Sequence, residues 1–107
     1  MHDETVMAFD FGERRIGVAV GNSVTRTAAP VATLHVESNA DRLARVAELV
    51  AEWQPSRFVI GEPRHGDGRP HEMAHLARKF GNRLREQFRL PVEFEDDALI
   101  KKYLPEY

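Results

Sequence analysis

The fold is decided by residues 6–21, which read VMAFDFGERRIGVAVG. An apolar run ends at Asp10, Gly12 follows two residues later, and a second apolar run begins at Ile16. Gly12 can take a positive φ that a side chain would resist, and the charged residues 13–15 suit a solvated turn. We therefore predict two antiparallel strands joined by a tight turn, with a carboxylate at the end of the first strand.

Asp10 is the unusual residue of this stretch. A carboxylate at the end of an apolar strand is costly to desolvate unless it meets a cation, a hydrogen-bond donor or a metal. One interpretation is that Asp10 caps the turn by accepting hydrogen bonds from nearby backbone N–H groups, which Asp often does. The other is that it binds a metal ion. The pattern itself leaves both open, because Asp-x-Gly turns occur in many proteins.

The composition is that of one soluble globular domain, spanning residues 1–107, with 42% hydrophobic and 30% charged residues. Without cysteine there are no disulfides and no thiolate metal sites. The chain shows no leader pattern, and no apolar run approaches the roughly 20 residues that span a bilayer. We expect a cytoplasmic protein that does not bind membranes.

Beyond the hairpin, the hydrophobic periodicity alternates between strand and helix. A capping pattern at Ser38 and Asp41 opens the first helix, and Pro55 ends it. The first helix is predicted to bury Trp53, and the second Leu76, Phe80 and Phe88. The predicted elements after the hairpin are a strand at 30–36, a helix ending at 53, a strand at 57–60, a helix at 70–88 and a strand at 91–94.

The resulting order is β-β-β-α-β-α-β, an α/β fold with a five-stranded mixed sheet flanked by helices. Functional groups in such sheets gather at the carboxyl ends of parallel strands. Asp10, Glu62 and the acids at 95–97 each follow a predicted strand. We expect these acids to converge, although they are far apart in the sequence.

A second metal hypothesis comes from residues 71–75, HEMAH, which match the zinc peptidase pattern H-E-x-x-H. On a helix, His71 and His75 lie one turn apart and could bind zinc, with Glu72 as general base. Two solvated histidines are the simpler interpretation, because this short string also arises by chance and the acids at 93–97 belong to a strand end.

The segment from Asp10 to Gly21 resembles the opening motif of the YqgF (RuvX) family. These are RNase H-like, Holliday-junction-resolvase-like proteins assigned to the maturation of pre-16S ribosomal RNA. The resemblance continues through residues 25–30, 53–55, 59–61, 67–68 and 77–80, and it covers residues 5–96. It implies an RNase H-like fold and a nuclease that uses Mg²⁺ or Mn²⁺.

The resemblance also implies three metal-binding acids. Asp10 matches the first, and Asp97 stands after Asp96 where the family has Glu in an Asp-Glu-Arg motif. The third acid, in a C-terminal helix of the family, has no counterpart before Tyr107. Glu62 replaces the usual Leu and could supply a missing ligand, although an exposed loop glutamate is the simpler interpretation. We expect Asp10, Asp97 and Glu62 to be catalytic, and Asp10, Asp97 and Asp96 to bind metal.

The expected function is therefore metal-dependent endonucleolytic processing of the 5′ end of pre-16S ribosomal RNA. With one acid absent and one altered, the alternative is a nucleic-acid or ribosome-associated binding module that has lost catalysis. The expected partners are structured RNA, branched DNA or a ribosome precursor, bound by a monomer or homodimer. A net charge of −2 argues against binding by bulk charge, so specific cations are assigned to the nucleic acid: Arg14, Arg15, Arg26, Arg64 and Lys79.

Overall fold

A computed structural model describes residues 4–12, 14–22, 27–35, 39–62 and 71–96. The predicted element order is confirmed. The elements are β1 (Thr5–Phe11), β2 (Arg15–Asn22), β3 (Thr27–His35), α1 (Asn39–Trp53), β4 (Arg57–Glu62), α2 (His71–Phe88) and β5 (Val92–Asp96). Neither described helix combines the length and the apolar character that a membrane crossing requires.

The five strands form one mixed sheet in the order β3-β2-β1-β4-β5. β1 pairs with β2 in antiparallel fashion and with β4 in parallel, and β4 pairs in parallel with β5. Parallel neighbours end at the same edge of a sheet. The carboxyl ends of β1, β4 and β5 therefore meet at one edge, as the sequence predicted.

The third strand starts at Thr27, three residues before the predicted start at Pro30. Pro30 lies inside the strand and pairs with Ala19, next to a shift of register between Val18 and Ala19. Proline lacks an N–H donor and is tolerated on edge strands and at bulges. The prediction that proline opens the strand was therefore wrong. β3 is an edge strand with a register shift at this point, so it accommodates Pro30 in its interior.

Both described helices contribute to the main hydrophobic core on one face of the sheet. At its centre the ring of Phe9 packs against Phe58 and Phe80, with centroid distances of 5.8 and 5.5 Å. A smaller cluster on the other face contains Ala19 and Val59. Phe58, Val59 and Ile60 are all buried, which confirms that β4 is apolar on both faces.

Two predictions about the core were wrong. Trp53 and Leu76 are each 39% exposed. Trp53 is the last residue of α1, and both buried α1 core residues, Val46 and Leu49, precede it. Leu76 precedes the buried Ala77, so it lies beside the apolar stripe of α2 and not within it.

An ion-pair network ties the start of the sheet together. Arg57 Nε donates to Glu4 Oε1 at 2.8 Å, and Arg57 Nη1 lies 3.0 Å from Glu93 Oε1. A single guanidinium at the start of β4 therefore contacts the segment before β1 and a residue of β5. These ion pairs connect the strand ends that lie at the edge of the sheet opposite Asp10.

Both helices stop in the same way. Gln54 and Arg89, the residues that follow α1 and α2, have φ values of 52° and 57°. Their backbone N–H groups donate to Val50 O and Arg85 O, at 2.8 and 3.0 Å. This is the left-handed cap that ends many helices, and a proline follows within two residues in each case.

Candidate metal and nucleic-acid site

Asp10 lies in a row of register-paired residues that crosses the whole sheet. It pairs with Gly17 on β2 and with Gly61 on β4. Beyond these glycines, Gly17 pairs with Thr33 and Gly61 pairs with Glu95. Residues paired in register project to the same face of a sheet. The nearest side chains of this row on either side of Asp10 are therefore those of Thr33 and Glu95.

The Asp10 side chain is only partly buried. Within the described part of the chain, no side-chain hydrogen bond or ion pair involves its carboxylate, whereas the carboxylates of Glu4, Glu62 and Glu93 all pair with arginines. The turn-capping interpretation would require a bond from a backbone N–H, and none is found among these residues. Among the described residues, the Asp10 carboxylate thus has no side-chain partner that compensates its charge.

The turn after Asp10 depends on Gly12, for a different reason from the predicted one. A Cβ at this position would lie 2.6 Å from the backbone oxygen of Arg15. Glycine is needed because the two arms of the turn approach closely, and not because of a positive φ. The close approach sets the exposed side chains of Arg14 and Arg15 beside the strand end that holds Asp10.

Glu62 and Asp96 pair with each other and end their strands at the same edge. Each is one residue beyond the Asp10 row, so alternation directs them to the face that packs against the helices. Glu62 is 3% exposed. Its Oε1 accepts a hydrogen bond from Arg78 Nη2 at 2.9 Å, and the Arg78 guanidinium lies 4.7 Å from the centre of the Phe94 ring.

Glu62 is therefore a buried strand-end carboxylate with an arginine partner on α2, and not an exposed loop residue. The simpler interpretation offered by the sequence was wrong here. Burying a carboxylate requires a compensating charge, and Arg78 provides it.

Three of the predicted site residues, Arg26, Arg64 and Asp97, lie outside the described residues. Among those that are described, no group of three acidic or histidine side chains is close enough to hold a metal ion. The donors that the edge does provide are carboxylate oxygens, which are the ligands that Mg²⁺ and Mn²⁺ prefer. Among the described residues, Asp10 and Glu95 supply such donors on one face of the edge.

Lys79 is on α2 and exposed. The zinc peptidase pattern also falls on α2, which begins at His71. Glu72 and His75 are exposed on this helix, and the described residues offer no third ligand for them. This arrangement favours solvated side chains over a zinc centre.

The sequence did not single out Glu95 as distinct from its acidic neighbours. Four of the five residues from 93 to 97 are acidic, and composition does not show which of them face Asp10. The register of β4 with β5 supplies that information, because it pairs Gly61 with Glu95. Because side chains alternate between the two faces along a strand, Glu93 and Glu95 lie on one face of the sheet and Asp96 on the other.

Comparison with known proteins agrees with this architecture. The family model for RuvX, described as Holliday junction resolvase, matches residues 4–100. A protein of Dechloromonas aromatica with the provisional name pre-16S rRNA nuclease is 58% identical over 95 residues, which are 89% of this chain and 65% of the relative. A Neisseria gonorrhoeae protein of the same name is 53% identical, over 89% of this chain and 63% of the relative.

The chain therefore spans just under two thirds of the length of these relatives. Among solved structures, Thermus thermophilus RuvC matches with a TM-score of 0.64 and 17% identity, over 94% of this chain and 69% of RuvC. RuvC in complex with a Holliday junction substrate matches with a TM-score of 0.61 and 18% identity, over 92% and 68% of the two chains. At such identities the likeness establishes the RNase H-like fold. The extent of the family match establishes more: this chain belongs to the RuvX family.

Proposed function

We propose that this protein is a metal-dependent endonuclease that acts on structured RNA, and that its substrate is the 5′ region of pre-16S ribosomal RNA in the cytoplasm. The single observation that supports this most is the position of Asp10. It stands at the carboxyl edge of a mixed sheet, between two glycines and on the same face as a second acid. The names of the relatives supply the substrate class.

In this proposal Asp10 and Asp97 are the principal metal-binding and catalytic acids. Asp97 stands directly after Asp96, the last residue of β5, in the sequence. Asp96 is assigned as a flanking ligand, because it ends β5 at this edge, and Glu62 is assigned to position the end of β4 through Arg78. A bound Mg²⁺ or Mn²⁺ ion would activate a water molecule and stabilise charge on the leaving oxygen.

The side chains of the protein have separate tasks in this scheme. The carboxylates fix the position of the cation and do not attack the phosphorus themselves. Arg14 and Arg15 at the β1–β2 turn, with Lys79 on α2, contact backbone phosphates and orient the strand at the edge. Arg26 and Arg64 are proposed for the same task. Glu62 holds Arg78 through their ion pair, which keeps the end of β4 in place beside the site.

Cleavage assays test this proposal. Labelled structured RNA and branched DNA are incubated with the protein and Mn²⁺, and the wild-type chain is compared with Asp10→Asn. Glu86→Gln serves as control, because it removes one exposed carboxylate from α2, away from the edge. We expect cleavage of RNA that Asp10→Asn lowers by at least about 100-fold and Glu86→Gln leaves unchanged.

A non-catalytic binding module is the alternative. It would give the same background cleavage for wild type and Asp10→Asn, together with undiminished binding of RNA. That result would refute the nuclease proposal and leave the fold with a binding role.

A further inference from the structure

A cationic groove runs between the two helices, beside the strand end that holds Asp10. Its charged lining consists of Arg42 on α1 and of Lys79 and Arg83 on α2. None of the described residues that line it is acidic. Lys79 and Arg83 are four residues apart, so they lie on one side of the helix and repel each other. Such a cluster favours an anionic ligand between the helices.

The described residues do little to neutralise the positive charge of these three side chains. Arg42 Nε donates a long hydrogen bond of 3.4 Å to the backbone oxygen of His35 at the end of β3. No ion pair between described residues involves Arg42, Lys79 or Arg83, in contrast to Arg57 and Arg78. Within the described part of the chain, no acidic side chain thus neutralises these three cations, and Arg42 contacts β3 through His35.

The floor of the groove is apolar. Leu76, which is 39% exposed, lines it together with Met73, Phe11 and Phe80. The rings of Phe11 and Phe80 pack at 5.8 Å and close the groove toward the core. An inorganic anion gains no favourable contact from the apolar side chains of this floor. A nucleotide does gain such contact, because its base has flat faces that pack on apolar groups while its phosphate is anionic.

The size of the groove selects among the ligands that combine a phosphate with an apolar group. Its volume of about 130 Å³ corresponds to one small group, such as a single base or a phosphate, so the rest of a bound strand lies outside it. Its position also matters, because Phe11 and Gly12 line it and directly follow Asp10 in the chain. A ligand bound here lies on the face of the sheet that packs against the helices. The Asp10 carboxylate lies at the same strand end, on the opposite face.

We propose that the groove formed by Arg42, Lys79, Arg83 and Leu76 binds one unpaired nucleotide of a nucleic-acid strand that continues to the Asp10 edge. The cations bind its phosphates, and its base rests on Leu76 and Met73. This inference rests on the proposed nuclease function, since it assigns the anchoring of a segment that flanks the cleavage position. It extends the predicted role of Lys79 to two cations that the sequence did not single out.

Binding of a fluorescein-labelled single-stranded RNA, measured by anisotropy in EDTA, tests the groove without cleavage. The variant Lys79→Gln with Arg83→Gln is compared with Arg45→Gln with Arg89→Gln, which removes the same charge from exposed positions outside the groove. We expect the groove variant to bind about tenfold more weakly, and the slope of log affinity against log salt to fall by about 0.7 for each lost phosphate contact. The control should stay within twofold of wild type.

Leu76→Ala separates a nucleotide site from a simple anion site. We expect it to weaken RNA binding several-fold while it leaves the salt slope and the binding of polyphosphate unchanged. Equal losses in the groove and control variants would overturn the proposal, and so would a Leu76→Ala variant that binds RNA as wild type does. Anisotropy in EDTA does not depend on cleavage, so failure of the nuclease proposal in cleavage assays would leave this result intact. Thermal melting of each variant confirms that it is folded.

Discussion

Asp10 and Glu95 lie on the same face of the sheet, two strands apart, with Gly61 paired to both. At a strand spacing of about 4.8 Å, their Cα atoms are roughly 10 Å from each other. Because the residue between them has no side chain, nothing in the row separates the two carboxylates. This relationship is the basis for placing a divalent cation at this edge.

Glu95→Gln should lower the rate of RNA cleavage about tenfold, less than Asp10→Asn, because Glu95 supplies a second donor on the Asp10 face. The matched control is Glu93→Gln, which lies two residues earlier on the same strand and pairs with Arg57. Single-turnover kinetics with Mn²⁺ measure both. Equal rates for the two variants would remove Glu95 from the site.

The ion pair of Glu62 with Arg78 should stabilise the fold. Arg78→Ala leaves a buried carboxylate without this partner, and we expect a loss of about 1 to 3 kcal/mol, limited by the 54% exposure of the Arg78 side chain. Arg78→Lys keeps the charge but not the planar contact with Phe94, so its loss should be smaller. Urea denaturation measures both, with Arg83→Ala as control. A wild-type midpoint for Arg78→Ala would show that the pair is energetically neutral.

Gly81→Ala should destabilise the protein, although alanine favours a helix over glycine by about 1 kcal/mol. A Cβ at residue 81 would lie 2.7 Å from two ring atoms of Phe94 and 3.2 Å from Val92 Cγ1. We expect a net loss of about 1 to 3 kcal/mol, because β5 must shift away from α2. Repeating the substitution in a Phe94→Leu background should remove most of the loss. A Gly81→Ala protein that melts at a higher temperature than wild type would contradict the packing.

Arg89→Gly should stabilise the protein by about 1 kcal/mol, because residue 89 has a φ of 57° that glycine adopts without steric cost. Arg85→Gly, inside the same helix, is the control and should cost about 1 kcal/mol. Thermal unfolding distinguishes the two. If both substitutions destabilise to the same extent, the left-handed cap is not formed in solution.

The sequence was sufficient to predict the order of elements, because their hydrophobic periods are distinct and glycine or proline follows β1, α1, β4 and α2 within three residues. It also predicted that the carboxyl ends of β1, β4 and β5 meet, which follows from the parallel crossovers. It could not tell that Glu62 and Asp96 face the helices while Asp10 and Glu95 face the other side. That distinction depends on strand register, which shifts every side chain to the opposite face if it slips by one residue.

Three other features depend on contacts that no local pattern encodes. The arginine that pairs with Glu62 lies 16 residues later in the chain, on α2. No local pattern distinguishes it from the other arginines as the partner of Glu62. Leu76 fitted the apolar stripe of α2, and only the packing of the two helices leaves it in a groove with Arg42. The sequence predicts Pro30 at the start of a strand, because a bulge in β3 can be recognised only from its pairing with β2.

The most direct test of the central claim is a titration of the ¹⁵N-labelled protein with substoichiometric Mn²⁺, followed by amide NMR. The paramagnetic ion broadens the resonances nearest to it. We predict that Asp10, Gly61 and Glu95 broaden first, that Asp10→Asn removes this effect, and that His75 on α2 is affected last. Broadening centred on His75, or a pattern that Asp10→Asn leaves unchanged, would contradict a metal site at the Asp10 edge.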